Sequence, residues 1–126
     1  AKALYDEAGV TNPRKEIDMA ELYVPFSWFE PMWLEHMLFA DENEGWKMTE
    51  SRATALGGDL PINCSGGVMS TNPIGASGML RFAEAAMQVR GQAGDHQVDG
   101  AKLALGHAYG GGSQYFATWI VGSENP

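Results

Sequence analysis

The stretch from Ala101 to Val121 constrains the fold more than any other part of the chain. Two apolar runs, Ala101 to Tyr109 and Gln114 to Val121, are separated by Gly110-Gly111-Gly112-Ser113. Glycines between two apolar runs signal a tight β-hairpin, because they reach the positive φ that such a reversal needs. In the first run, Leu103, Leu105, His107 and Tyr109 share one face by the two-residue period of a strand. The second run is apolar on both faces, the pattern expected of a strand covered by helices above and below. From Gly75 to Arg90 the apolar residues cover most of a helical circumference, and Arg81, Glu84 and Gln88 form one narrow polar stripe at i, i+3, i+7. The spacing predicts a helix buried on most sides. The chain has 126 residues, 44% of them hydrophobic, enough for one domain with a real core.

The rest of the chain reads as shorter pieces. Ala1, Leu4, Tyr5 and Ala8 have helical spacing, with Gly9 at the C-terminal stop; a chain opening inside a helix without methionine is expected to be a fragment. Asn12-Pro13 reads as a turn and Ile17 to Val24 as a strand. Ser27-Trp28-Phe29-Glu30 has capping-box spacing, which predicts a helix to about Phe39. Asp41 to Lys47 is acidic and without period, hence a surface loop, and Leu60 to Asn63 reads as a brief strand. Cys64 to Asn72 is small, polar and glycine-rich, and leads through Pro73 into the long helix. Of sixteen glycines, nine cluster at 66–67, 75 and 78, 91 and 94, and 110–112, so close backbone approach is expected at those places.

Charge and cysteine usage narrow the function. A net charge of −8 repels phosphate backbones and anionic headgroups, which argues against nucleic acid and peripheral membrane partners. The longest apolar stretch, Tyr23 to Phe39, is broken by Pro25, Glu30, Pro31, Glu35 and His36, short of the roughly 20 residues that a spanning helix needs. One cysteine, Cys64, cannot form an internal disulfide, and no basic-then-apolar leader opens the sequence, so a cytoplasmic location is expected. One cysteine and three scattered histidines give no zinc spacing, and no metal site is expected. His36 and His96 read as surface or structural residues, and Cys64 as a small packed hydrophobe. His107 lies on an apolar strand face, which suits a core histidine as well as a functional one. Trp28, Phe29 and Trp33 suit a large apolar substrate and core packing equally. The small-residue loop feeding Pro73-Ile74-Gly75-Ala76-Ser77-Gly78 is a natural oxyanion receptor or, equally, a packing device. Ser65, Gly66, Gly67 and Gly75 are its candidate substrate-binding positions.

Several motifs in order carry a resemblance. Gly58-Asp-Leu-Pro-Ile-Asn63, Ser65-Gly66-Gly67, Ser70-Thr-Asn-Pro-Ile-Gly-Ala-Ser-Gly78, Gln88-Val-Arg-Gly-Gln-Ala-Gly94, His96-Gln97-Val98 and His107-Ala-Tyr-Gly-Gly111 resemble the C-terminal half of the thiolase superfamily, nearest its sterol-carrier and lipid-transfer branch. The match runs over roughly residues 15 to 122. The resemblance implies an α/β fold, with residues 1–126 as the C-terminal half: a mixed central sheet with helices on both faces, pairing with an N-terminal half outside this chain. That other half would carry the family's nucleophilic cysteine and its CoA-gripping loop.

The departures from the family pattern bear on the chemistry. Thr71-Asn72-Pro73 stands where thiolases have Gly-His-Pro, Tyr23-Val24-Pro25-Phe26 where they have an Asn- or His-Glu-Ala-Phe motif, and Ala108, followed by Tyr109, where biosynthetic members keep an acid/base cysteine. Asparagine donates a hydrogen bond but takes no proton. Claisen cleavage needs an activated thiolate and a second acid/base, whereas retro-aldol cleavage needs only a base for the β-hydroxyl and donors for the enolate. The pattern is similar to the thiolase-like aldolases of steroid side-chain degradation, which split a β-hydroxyacyl-CoA. Tyr109, Tyr23, Asn72 and His107 are then the candidate catalytic residues, with Tyr109 as proton carrier and His107 as its neighbour on the proton's route, since an unassisted phenol holds its proton at neutral pH. The resemblance further implies a CoA thioester as substrate with no separate cofactor, a homodimer through the thiolase halves, and a small OB-fold, zinc-ribbon partner protein. Two alternatives stay open: a thiolase acting on a bulky or aromatic β-ketoacyl-CoA, and a non-catalytic acyl-CoA- or lipid-binding subunit.

Overall fold

The hairpin forms as its sequence predicts. In the computed structural model, which describes residues 1–124, strand β2 (Leu103–Gly110) pairs antiparallel with β3 (Tyr115–Gly122) at every position from Leu103 opposite Gly122 to Gly110 opposite Tyr115. The reversal places Gly111, Gly112 and Ser113 at φ of 59°, 61° and 74°, three consecutive left-handed residues that a chain without glycine here would resist. Strand β1 (Met19–Glu21) lies parallel on the other side of β2, which completes a mixed sheet of order β1-β2-β3. One Asp18 carboxylate oxygen accepts from the amides of Lys102 and Leu103 at 2.7 and 2.8 Å and so aligns the starts of β1 and β2.

The remaining elements are α1 (Lys2–Ala8), α2 (Pro13–Glu16), α3 (Phe29–His36), α4 (Gly45–Glu50), α5 (Gly67–Ser70) and α6 (Ser77–Val89), with 3-10 turns at Ile74–Ala76 and Gly94–His96. Side chains of β2 alternate between two unlike layers. Leu105 enters a core of Tyr5, Leu22, Trp33, Leu34 and Leu60, and each fully buried leucine there contributes about 1.5–3 kcal/mol. Ala104, on the other face, meets Met19, Ala85 and Val89 beneath α6. That face is kept small: a Cβ on Gly78 would lie 2.8 Å from that of Ala108, and one on Gly106 would lie 2.0 Å from the Trp119 indole. Helices thus cover both faces, as the expected α/β fold requires. Among the described residues no helix is long and apolar enough to cross a membrane.

Five local expectations are corrected. The strand expected over 17–24 pairs only at Met19–Glu21, and the one at 60–63 is reduced to a single bridge between Ile62 and Ala20. The capping box at Ser27 does not form, because Glu30 turns to accept from the hydroxyls of Thr49 and Thr54 at 2.9 and 3.1 Å; α3 starts at Phe29 and ends at His36, before Leu38 takes φ 60°. The acidic segment expected as loop holds the start of α4, whose Gly45 fits against the Pro31 carbonyl where a Cβ would come within 2.3 Å. Strand β3 is not covered on both faces: it is the edge strand, exposed from Tyr115 to Ala117 and half-buried from Thr118 to Val121.

A sixth correction concerns α6. Its polar stripe is the inward face, with Arg81, Glu84 and Gln88 buried, while Met79 is 68% exposed and Phe82 41%. The stripe is buried because polar partners await it. Arg81 meets Glu21 of β1, and Gln88 Oε1 accepts from the Val98 amide at 2.8 Å. The outer apolar ridge of Met79, Phe82 and Met87 is uncovered in this chain. Residues 1–126 expressed alone are therefore expected to self-associate rather than to melt as a monomer. A sharp, cooperative thermal transition from a species of monomer mass in analytical ultracentrifugation would contradict this.

Candidate functional site

The C-terminal ends of β1 and β2 and the N-terminal end of α6 meet at one edge of the sheet. Tyr23 follows β1 and is anchored by the Trp33 indole N–H, which donates to its carbonyl at 2.9 Å. Tyr109, near the end of β2, stands with its ring centroid 5.4 Å from that of Tyr23. Asn72 precedes the 3-10 turn that leads into α6, and its Oδ1 accepts from the Tyr23 hydroxyl at 3.1 Å and from the Ser77 hydroxyl at 2.6 Å. The Nδ2 amide of Asn72 remains as a donor. A cleft of about 560 Å³ opens beside them, lined among others by Tyr23, Gly75, Gly78, Tyr109, Gly111 and Phe116, with no charged side chain in its lining.

Three of the expected catalytic residues thus converge, and Gly75 joins them in the cleft wall. Ser65, Gly66 and Gly67 do not. The Ser65 amide and hydroxyl both donate to the buried carboxylate of Glu21, at 3.2 and 2.9 Å, and the Ser65 oxygen accepts from the Gly67 amide at 3.1 Å. Gly66 and Gly67 take φ of 85° and 57° in a turn closed against Asn63, whose Oδ1 accepts from the Leu22 amide. That loop is locked onto the end of β1 and does not line the cleft.

His107 sits behind Tyr109 on the same face of β2, only 1% exposed, with its ring 4.6 Å from that of Trp33. Neither ring nitrogen has a partner, and burial pulls its pKa down to about 4, so the imidazole is neutral at neutral pH. Burial, with the Glu21 and Glu84 carboxylates adding to it, pushes the Cys64 thiol up to about 11. That suits a packed residue and not a nucleophile. His96 pairs with Glu84 at 2.7 Å and His36 is exposed, in keeping with structural and surface roles. Phe29 and Trp33 belong to the core, whereas Trp28 is 60% exposed and stacks on Phe29 at 4.1 Å.

A second groove of about 770 Å³, lined by Arg14, Asp18, Asp59 and Asp99 among others, is larger but less suited to chemistry. Three of its charged residues are already engaged: Arg14 pairs with Asp59 at 3.5 Å and Asp18 caps β2. Two functional features escaped the sequence reading, Ser77 as a partner of Asn72 and the inward Glu21–Arg81 pair. The spacing of five between Asn72 and Ser77 across a proline and a helix start was the available signal for the first.

The buried neutral His107 has a stability consequence. The unfolded chain takes up its proton near pH 6.5 and the folded one only near 4. Its contribution is therefore fully present above about pH 6.5 and is lost as pH falls through 4, at most about 3 kcal/mol. Urea unfolding of the intact protein between pH 7 and 4 should show a steeper loss of stability in wild type than in His107→Phe. Parallel profiles would show that the histidine titrates as freely in the folded state as in the unfolded one.

Comparison with known proteins accords with this geometry. A family model described as Thiolase C-terminal domain-like matches residues 1–123. Human sterol carrier protein 2 is 37% identical over 119 residues, which cover 94% of this chain and 21% of that protein. An acetyl-CoA acetyltransferase of Methanothermobacter thermautotrophicus is 37% identical over 97 residues, 76% of this chain and 25% of that protein. A solved structure described as an Ltp2-ChsH2(DUF35) aldolase superposes with a TM-score of 0.79 at 26% identity, covering 97% of this chain and 30% of that one. The chain spans less than a third of the length of each of these proteins. With its mixed sheet, its helices and its matched motifs, it belongs to the thiolase C-terminal domain-like family, in the branch that includes sterol carrier protein 2.

Proposed function

We propose that this chain is part of an enzyme that breaks a carbon–carbon bond in an acyl-CoA thioester, by retro-aldol cleavage of a β-hydroxyacyl-CoA of the steroid side-chain kind. The observation that carries the reading is a pair of phenols lining an uncharged cleft, one of them hydrogen-bonded to Asn72, which stands where the thiolase pattern has its histidine. Such a set suits a reaction that develops an enolate and moves one proton without an acyl-enzyme. The step requires the Tyr109 oxygen to enter as the phenolate: it receives the β-hydroxyl proton as the Cα–Cβ bond breaks, and the electron pair passes to the thioester as an enolate. A ketone leaves, and a proton returned at Cα from the tyrosine gives the shorter acyl-CoA, so no proton, water or electron is consumed. Asn72 Nδ2 donates to the enolate oxygen, a role in which a fixed donor supplies roughly 10- to 1000-fold in rate.

Tyr23 has its hydroxyl proton committed to Asn72, which favours Tyr109 as the proton carrier. His107, two residues back on the same face of β2, is buried with neither ring nitrogen hydrogen-bonded and is assigned no step. The uncharged wall suits the acyl end of the substrate; the CoA phosphates would be held elsewhere in the full protein. A small OB-fold, zinc-ribbon partner is supported by the two-component description of the structural neighbour, and a homodimer through thiolase halves by family membership alone. The acetyltransferase relative favours a second reading, thiolytic cleavage of a β-ketoacyl-CoA. Incubating the intact assembly with a β-hydroxyacyl-CoA and, separately, with a β-ketoacyl-CoA plus CoA distinguishes the two by their products. Turnover of neither would point to a binding subunit.

On the aldolase reading Asn72→Ala lowers kcat by roughly 10- to 1000-fold, with a stability cost of about 1–3 kcal/mol because the buried Ser77 hydroxyl loses its acceptor. Turnover within about twofold of wild type would make Asn72 a turn former. Tyr109→Phe keeps the ring and removes only the hydroxyl, and is expected to lose on the order of 100-fold or more in kcat with acyl-CoA binding and melting temperature near wild type. The same loss in Tyr23→Phe, with Tyr109→Phe fully active, would move the proton to Tyr23; full activity in both would end the tyrosine mechanism.

A further inference from the structure

We infer that Ser77 is a positioning residue for the reaction: its hydroxyl, with that of Tyr23, saturates Asn72 Oδ1 and so presents the Asn72 Nδ2 donor to the cleft. The inference rests on the donor role given to Asn72 above. An exposed asparagine in a loop is ordinarily free to turn its amide over, and the two ends of a carboxamide differ little in shape while being opposite in hydrogen bonding. At Asn72 that freedom is removed. Both lone pairs of Oδ1 are engaged, by Tyr23 from the end of β1 at 3.1 Å and by Ser77 from the first residue of α6 at 2.6 Å. These two donors are themselves 7% and 1% exposed, and they come from elements that β1 and α6 hold rigidly against the sheet. If the amide turned over, Nδ2 would face two hydroxyls and Oδ1 would face the cleft, so a developing enolate would meet an acceptor instead of a donor.

Of the two, Ser77 makes the shorter contact and stands apart from the proposed proton chemistry. Its neighbour Gly78 lets the first turn of α6 lie close on Ala108 of β2, where an added Cβ would come within 2.8 Å of the alanine's. The hydroxyl is at hydrogen-bond distance only because the chain reverses through Pro73 and the Ile74–Ala76 turn, which bring residues five apart in sequence into contact.

The test compares Ser77→Ala, Ser77→Thr, Asn72→Ala and the double variant Asn72→Ala/Ser77→Ala in the intact assembly, with a β-hydroxyacyl-CoA that the wild type cleaves. Ser77→Ala is expected to lower kcat about tenfold with KM within twofold, Ser77→Thr to recover most of that loss, and the double variant to be no slower than Asn72→Ala. A readout independent of turnover is the Asn72 side-chain amide in nitrogen-15 NMR. Its two proton resonances should be separate and slowly exchanging in wild type, and should move toward free-asparagine values in Ser77→Ala. If Ser77→Ala misfolds, Ser77→Cys, with a similar volume and a weak donor, replaces it with the same expectation. An unchanged amide signal in Ser77→Ala, an unchanged kcat where Asn72→Ala is impaired, or an additive loss in the double variant each overturns the inference. Full activity of Asn72→Ala with a shifted amide signal in Ser77→Ala would instead overturn the donor reading, and leave Ser77 as the residue that orients Asn72.

Discussion

A buried ion pair joins the parts on which the site depends. Arg81 of α6 reaches Glu21 at the end of β1 at 3.3 Å, with both side chains almost wholly out of water. The same carboxylate accepts from the Ser65 amide and hydroxyl, so one group fixes the helix, the strand and the 63–67 loop to each other. The pair is weak as a source of stability. Burial pushes the Glu21 carboxyl upward more than the neighbouring guanidinium pulls it down, and Arg81 keeps nitrogen atoms without a hydrogen bond. Its value is positional, because an apolar pair of equal volume could slide and this one cannot. Tyr23 lies two residues beyond Glu21 and Ser77 one helical turn before Arg81, so the register of both site residues follows from this contact.

The sheet enforces the rest by contrast between its faces. Small residues at Ala104, Gly106 and Ala108 admit α6 and, over Gly106, the Trp119 ring. The intervening Leu105, His107 and Tyr109 face Trp33 and its neighbours, where the aromatic rings of Tyr23, Phe29, Trp33, Tyr109 and Phe116 form one contiguous stack of tilted contacts. Strand alternation therefore delivers Tyr109 to an aromatic wall on one side of the cleft while its neighbours in sequence bring the helix terminus to the other. That terminus carries no acidic side chain in its first turn, so its partial positive charge is not cancelled locally. The cleft combines this field with neutral side chains, an environment that favours negative charge placed there.

Much of this was legible along the chain. The hairpin, the α6 span, the turn at Gly9 and the grouping of Leu103, Leu105, His107 and Tyr109 all follow from local period and from glycine at left-handed positions, so neighbouring residues suffice to specify them. Tyr23, Asn72 and Tyr109 were singled out by departures from a family pattern, and a motif fixes residue types at fixed places whatever surrounds them. What local period could not decide was which way α6 faces. Arg81, Glu84 and Gln88 read only as a narrow polar stripe, and the arrival of Glu21, far away in sequence, and of the 96–98 segment makes burial of that stripe cheaper than exposure. The same holds for Glu30, which abandons a helix cap three residues away for two hydroxyls about twenty residues on, and for Ser65, whose hydroxyl turns from a cleft to a carboxylate. The sequence by itself determined the hairpin, the long helix and the identities of the candidate side chains; tertiary structure decided which of them touch, because hydrogen-bond partners are chosen in space and not along the chain.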